Sequence, residues 1–181
     1  MSFNKSKAMR NAERYLTQGK IQAAISEYRQ IVEHEPKDIN SRNMLGDLYI
    51  KANDNQSAIN CYKEVAEHYN SQGFAKKAIA IYNKISRLKP DSLEVSAKLA
   101  QLYQMKGSVA EARTHYTTLA EQYTRTGKKA EALNVWKQIA NLDPNNTEIY
   151  LKIADACWQD NQKSEAAQAY IEAGNRLVLK K

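Results

Sequence analysis

LAEQYTRTGKKAEALNVWKQIANLDPNN, residues 119–146, reads as a helix, a glycine turn, a second helix and a proline stop. The stretch recurs. Gly19, Gly73 and Gly127 mark the glycine turn and stand 54 apart. Pro36, Pro90 and Pro144 mark the stop at the same interval and are the three prolines of the chain. Ahead of each glycine stands one signature: Ala12-Glu13-x-Tyr15, Ala66-Glu67-x-Tyr69 and Ala120-Glu121-x-Tyr123. One more interval beyond Gly127 reaches Lys181, where a fourth turn is due. Self-similarity at a fixed period implies units that cannot bury an apolar face alone and so stack on their neighbours.

The intervening residues supply the helices. Short polar turns and the proline stops divide the chain into about ten, near 5–18, 20–34, 39–52, 56–72, 74–88, 92–106, 109–126, 128–141, 146–159 and 162–179. Proline ends a helix because it lacks the N–H and turns the preceding residue away from helical angles. Asp38 precedes the third helix, while Asp91-x-x-Glu94 and Ser108-x-x-Glu111 have capping-box spacing at the sixth and seventh. Within the helices small and large residues alternate. Leu45, Gly46 and Tyr49 share one face and Ala58, Tyr62 and Val65 the next; Leu99, Ala100, Tyr103 and Ala112, Tyr116, Leu119 repeat the arrangement. A small residue on one helix makes room for a tyrosine from its neighbour, which is how two helices pack densely at close range. Ala78, Ala112 and Ala132 are therefore expected to be buried at helix crossings.

These residues resemble the tetratricopeptide repeat family, whose unit is two antiparallel helices in about 34 residues. Leu45-Gly46, Tyr49, Ala58 and Tyr62 match its pattern, as do Leu119-Ala120, Tyr123, Gly127, Ala132, Trp136 and Pro144. The resemblance covers essentially the whole chain and is of the bacterial type of array. It implies one all-α domain over 1–181, a right-handed α-solenoid of about ten antiparallel helices. Its repeats run over approximately 5–38, 39–72, 59–92, 93–126, 113–146 and 147–181. One feature departs from the family: the spacing of 34 alternates with 20, so the helices at 56–72 and 109–126 each serve two repeats. The unit is then three helices, with a longer shared one that lacks a proline stop.

Composition narrows the function. Hydrophobic residues make up 43% of the chain, with 11 Tyr and 2 Phe, enough for a continuous core. No apolar run approaches the roughly 20 residues of a membrane span, and MSFNKSKAMR has no apolar segment behind its basic residues, so a cytoplasmic protein is expected. Cys61 and Cys157 lie far apart at helical positions and suggest neither a disulfide nor a zinc site. Net charge is +7, with residues 1–90 holding 15 Lys/Arg against 9 Asp/Glu and residues 91–181 holding 12 against 11. The cations are scattered among acids, so nucleic-acid binding is not expected. The six glycines form no phosphate-cradling loop, and His34, His68 and His115 lack ligand partners at metal spacing. No nucleophile or catalytic cluster emerges; neither an enzyme, a cofactor nor a metal is expected.

The resemblance directs attention to the concave groove, which the first helix of each family repeat lines. Groove positions here are Met9, Glu13, Leu16, Asp47, Ile50, Glu67, Lys98, Gln101, Met105, Glu121, Arg125, Asp155 and Trp158, beside Arg10, Asn43, Met44, Lys51, Lys63, Asn70, Thr117, Thr124, Leu151 and Lys152. Directly after each repeat's small residue stand Glu13, Asp47, Glu67, Gln101, Glu121 and Asp155, five of the six acidic. They form either a carboxylate ladder for a basic partner or simple surface pairs, since Asp47–Lys51, Lys63–Glu67 and Glu121–Arg125 are all at i,i+4. An exposed apolar set of Leu16, Ile50, Met105 and Trp158 favours the ladder. Some family members hold acidic C-terminal peptides with a Lys/Asn/Arg clamp; Met9 and Glu13 stand where its first Lys and Asn would be, which disfavours that ligand.

The expected function is a non-catalytic protein-interaction scaffold that binds a protein or peptide, more basic or amphipathic than acidic. The alternatives are a basic surface for RNA or anionic lipid and an architectural, self-assembling module. The tenth helix raises the last of these. Tyr170 matches Tyr62 and Tyr116, while Gly174 and Leu177 replace the Ala and Tyr of the signature. A face of Tyr170, Ala173, Leu177 and Val178 is thus expected to be partly uncovered and open to homo-oligomer formation through the C-terminal helices.

Overall fold

A computed structural model describes residues 3–179; the residues at Met1, Ser2, Lys180 and Lys181, including the expected turn position at Lys181, lie outside the described part. The described residues form ten helices: α1 (Lys5–Thr17), α2 (Ile21–His34), α3 (Ile39–Lys51), α4 (Asn55–Ser71), α5 (Ala75–Leu88), α6 (Leu93–Met105), α7 (Val109–Arg125), α8 (Lys129–Leu142), α9 (Thr147–Gln159) and α10 (Lys163–Leu179). No helix is long and apolar enough to cross a membrane among the described residues. The chain divides at Pro90–Asp91 into two compact units, α1–α5 and α6–α10. In each, every helix packs on its neighbour in sequence.

The three-helix period is visible in the helix lengths. α4, α7 and α10 have 17 residues, α2, α5 and α8 have 14, and α3, α6 and α9 have 13. Backbone conformation shows the alternation more sharply. Residues in the left-handed region are Gly19, Asn53, Gly73, Gly107, Gly127 and Asn161, separated by 34, 20, 34, 20 and 34. Each closes the same turn. The N–H after Gly19 bonds back to Tyr15 O at 2.9 Å, and the N–H after Asn53 bonds to Tyr49 O at 2.9 Å. This 6→1 bond satisfies a helix-end carbonyl and requires positive φ, which glycine and then asparagine adopt at least cost.

The proline stops are followed by caps at a fixed offset of two. Asp38, Ser92 and Asn146 are the N-caps of α3, α6 and α9. Asp38 accepts from Ser41 N at 3.1 Å and from its hydroxyl at 2.5 Å. Ser92 accepts from Val95 N at 3.4 Å. The Asp91–Glu94 capping box is therefore displaced, because the turn after Pro90 spends one further residue before the helix begins. Ser108 is the N-cap of α7, but its side chain makes no capping bond.

Small-against-large packing is explicit at Gly46. A Cβ placed there would stand 2.7 Å from Tyr62 Cε1, so the tyrosine ring lies directly on the α3 backbone. The matching positions Ala12, Ala66, Ala100, Ala120 and Ala154 are completely buried. Tyr28, Tyr82, Tyr116, Trp136 and Tyr170 follow them at the offset by which Tyr62 follows Gly46. Ala78, Ala112 and Ala132 are buried as expected.

Polar contacts recur at twice the period. Lys5 pairs with Glu35 at 2.7 Å, and its counterpart Arg113 pairs with Asp143 at 2.6 Å. The carbonyl of Pro36 accepts from Arg42, which also pairs with Glu64. The carbonyl of Pro144 accepts from Arg176 at 2.6 Å, and Arg176 pairs with Glu172. The two arginines come from different helices yet join equivalent acceptors. α1–α4 and α7–α10 are thus one four-helix body used twice, with α5 added after the first and α6 before the second.

Candidate interaction groove

The residue after each small packing residue lies beside the next helix, and the structure separates the acidic row into two classes. Asp47 accepts from the Tyr62 hydroxyl at 2.5 Å and from Lys84 Nζ at 2.7 Å. Lys84 also bonds Asn43 Oδ1 at 3.2 Å and stands 4.7 Å from the centroid of the Tyr62 ring. Burial, reinforced by the Asp47 carboxylate, pushes the Tyr62 hydroxyl far above its ordinary pKa. Asp155 accepts from the Tyr170 hydroxyl at 2.7 Å. At the intermediate position, Gln101, the tyrosine turns elsewhere: Tyr116 OH donates to Gln104 Oε1 at 2.9 Å. Asp47 and Asp155 therefore anchor tyrosines. The partner expected for Asp47, Lys51, is exposed, and Lys84 from α5 takes its place. The other class is Glu13, Glu67 and Glu121, exposed at one-period intervals on α1, α4 and α7.

In the second unit these positions border a cleft of about 340 Å³ between α7 and α9. Glu121, Thr124 and Arg125 form one wall and Lys152, Asp155, Ala156 and Gln159 the other, over Trp136 of α8. Lys152 Nζ stands 5.4 Å from a Trp136 ring centroid, a cation–π contact. A second depression continues along the same helices, sharing Glu121 and Lys152 and adding Thr117 and Glu148. Sequence position explains the opening. Thr124 and Ala156 stand where the first unit has Leu16 and Leu48, so shorter side chains line the second unit's cleft above the aromatic ring. The cleft brings together Glu121, Thr124, Arg125, Lys152 and Asp155 of the expected groove residues. Trp136 is not among them, because an aromatic at its position reads as core; it is indeed only 4% exposed, with the small flanking residues as the missed signal.

The apolar set is also redistributed. Met105 is 76% exposed on α6, and Trp158 is 61% exposed on α9 beside exposed Leu151. In the first unit, Leu16 and Ile50 are half-buried rather than exposed. Leu16 packs with Met9 against the Ala8–Leu48 core, since α1 turns that edge toward α2 and α3. Lys98 is half-buried and Gln101 exposed on α6. On α10, Tyr170, Leu177 and Val178 are exposed, but Ala173 is buried against the helix before it. Cys61 and Cys157 are free thiols whose pKa burial raises, which makes both poor nucleophiles. Among the described residues no three His, Cys, Asp or Glu side chains are grouped to hold a metal.

Two family models, both described as tetratricopeptide repeat, match the chain over residues 15–73 and 117–175. Solved structures align over nearly the full length. One reported as the crystal structure of MamA is 17% identical and covers 93% of this chain and 95% of its own, with a TM-score of 0.36. Residues 41 to the end of MamA from Desulfovibrio magneticus RS-1 are 14% identical, covering 100% and 99%, with a TM-score of 0.38. PilF from Pseudomonas aeruginosa is 16% identical, covering 95% and 76%, with a TM-score of 0.41. No curated protein sequence matches the chain.

Proposed function

Because the chain belongs to the tetratricopeptide repeat family, whose members are protein-interaction scaffolds, we propose that it holds a basic, amphipathic segment of a partner protein along α7 and α9. The observation that carries this reading is the cleft over Trp136, where acidic Glu121 and Asp155 face a polarisable aromatic floor. Its present cationic occupant is Lys152, the chain's own side chain. A partner arginine offers the same chemistry with a planar group that stacks on the indole and bonds a carboxylate at two points. Met105, Leu151 and Trp158 supply exposed apolar contacts on the neighbouring helix surfaces. Within the first unit, Glu13 and Glu67 are the exposed acidic residues at the equivalent positions of α1 and α4.

The test copies the first unit. Ala156→Leu places the Leu48 side chain in the cleft and is expected to weaken binding of an Arg-containing amphipathic peptide about tenfold, measured by calorimetry, with little change in melting temperature. Glu121→Gln is expected to weaken the same peptide by a factor of several, the scale of one charged hydrogen bond. Unchanged affinity in both variants would remove the cleft from the interaction.

A further inference from the structure

Among the described residues the second unit repeats α1–α4 as α7–α10, and none of these helices corresponds to α5; the first unit shows what that helix does. There α5 packs on α4, where Tyr62 is 2% exposed and Ala66 fully buried. Their counterparts on α10 are Tyr170, 42% exposed, and Gly174, which has nothing within 4 Å of the place a Cβ would take. Ile171, Leu177 and Val178 extend the same open strip.

A polar group also stands part-built. The Asp47–Tyr62 hydrogen bond is completed by Lys84, which α5 brings to Asp47 at 2.7 Å and over the tyrosine ring. Asp155 and Tyr170 repeat that bond at 2.7 Å, on a face that none of the described helices covers. The α6–α7–α8 set acts as an internal control. There Gln101 replaces the aspartate, and the covering helix carries Gln138 where α5 carries Lys84. The carboxylate Asp47 thus has a cation, Lys84, on the helix that covers it, while the equivalent places in the α6–α8 set hold two amides.

We propose that the open face of α10 docks an amphipathic helix of a partner protein with the chemistry of α5. Its apolar stripe resembles Ala78–Tyr82–Ile85, a small residue followed by an aromatic and an aliphatic at helical spacing. By the register in which Gly46 receives Tyr62, Gly174 leaves room for the aromatic ring. A lysine or arginine two positions beyond the aromatic reaches Asp155 and Tyr170. The surface shares Asp155 with the cleft over Trp136, and the two are told apart by variants that touch one alone: Leu177→Glu on α10, and Glu121→Gln or Ala156→Leu in the cleft.

The chain's own α5 is the probe. A labelled peptide with the sequence of residues 73–89 is titrated with the full chain. Saturable binding is expected, about tenfold weaker for the peptide carrying Lys84→Glu and for the chain carrying exposed Leu177→Glu, the scale of one lost charged contact. A free helix of this length is marginal in water, so the same stretch is also joined after Lys181. The joined helix is expected to raise Tm by about 5 °C, and Lys84→Glu in that copy to remove most of the rise. No rise, or a rise indifferent to both Lys84→Glu and Leu177→Glu, overturns the proposal. So does sedimentation showing that the native chain self-associates while Leu177→Glu is a monomer, because the occupant is then a second copy.

Discussion

Trp136→Ala is expected to destabilise the chain by about 3–5 kcal/mol, the range for removing a large buried aromatic. Trp136 is buried in the second unit's core with Leu133, Ile139 and Ile153. It holds the place that Tyr82 and Tyr28 hold one and two periods earlier, and it follows fully buried Ala120 as Tyr82 follows Ala66. Alanine leaves both a transfer deficit and a void beneath the groove. Relaxation of α7 toward α9 fills part of that void, which sets the lower end of the range. A fall in melting midpoint of at least about 6 °C follows for a protein of this size. Trp158→Ala is the control: the same residue type, exposed, should change stability by no more than about 0.5 kcal/mol. Thermal melts followed by circular dichroism separate the two. Equal effects would mean that α8 does not present Trp136 to the core.

Ala112→Leu should cost about 1–3 kcal/mol by the opposite route. Ala112, like Ala58 and Ala166 one period to either side, is fully buried. Leucine adds three carbons at a crossing where the chain uses the smallest helix-forming side chain. Leucine and alanine have similar helix propensity, so the loss reports packing. Ala110, two positions earlier on α7 and exposed, provides the matched site. Ala110→Leu is expected to leave the melt unchanged, and a Tm for Ala112→Leu equal to it would contradict the assigned helix phase.

The helices are legible in the sequence because their ends are covalently distinctive. Pro36, Pro90 and Pro144 cannot continue a helix, and Gly19, Gly73 and Gly127 take the left-handed turn other residues resist. The alternation of 34 and 20 comes from the intermediate turns at Asn53, Gly107 and Asn161, two of which are filled without glycine. The site is only partly legible. Spacing places Asp47 and Lys51 on one surface, but it does not show that Lys84, from a helix two further along the chain, reaches Asp47 first. Nor does it show that Asp47 and Asp155, of this row, accept from the hydroxyls of Tyr62 and Tyr170 on the following helix. Trp136 reads as core and is core. That it also floors a cleft depends on the volumes of Thr124 and Ala156, side chains from two other helices.

The most direct test of the groove is a paired titration. One peptide is amphipathic and carries Arg and Lys; the other has the same apolar residues with every cation replaced by Glu. Each is titrated into the full chain by calorimetry at about 50 and about 200 mM salt, a range over which screening of exposed charges changes appreciably. The basic peptide is expected to bind about tenfold or more tightly than the acidic one. Its affinity should fall modestly with salt, as for a few screened contacts around apolar anchors. Equal affinity for the two peptides, or tighter binding of the acidic one, would contradict recognition of a basic segment by this groove.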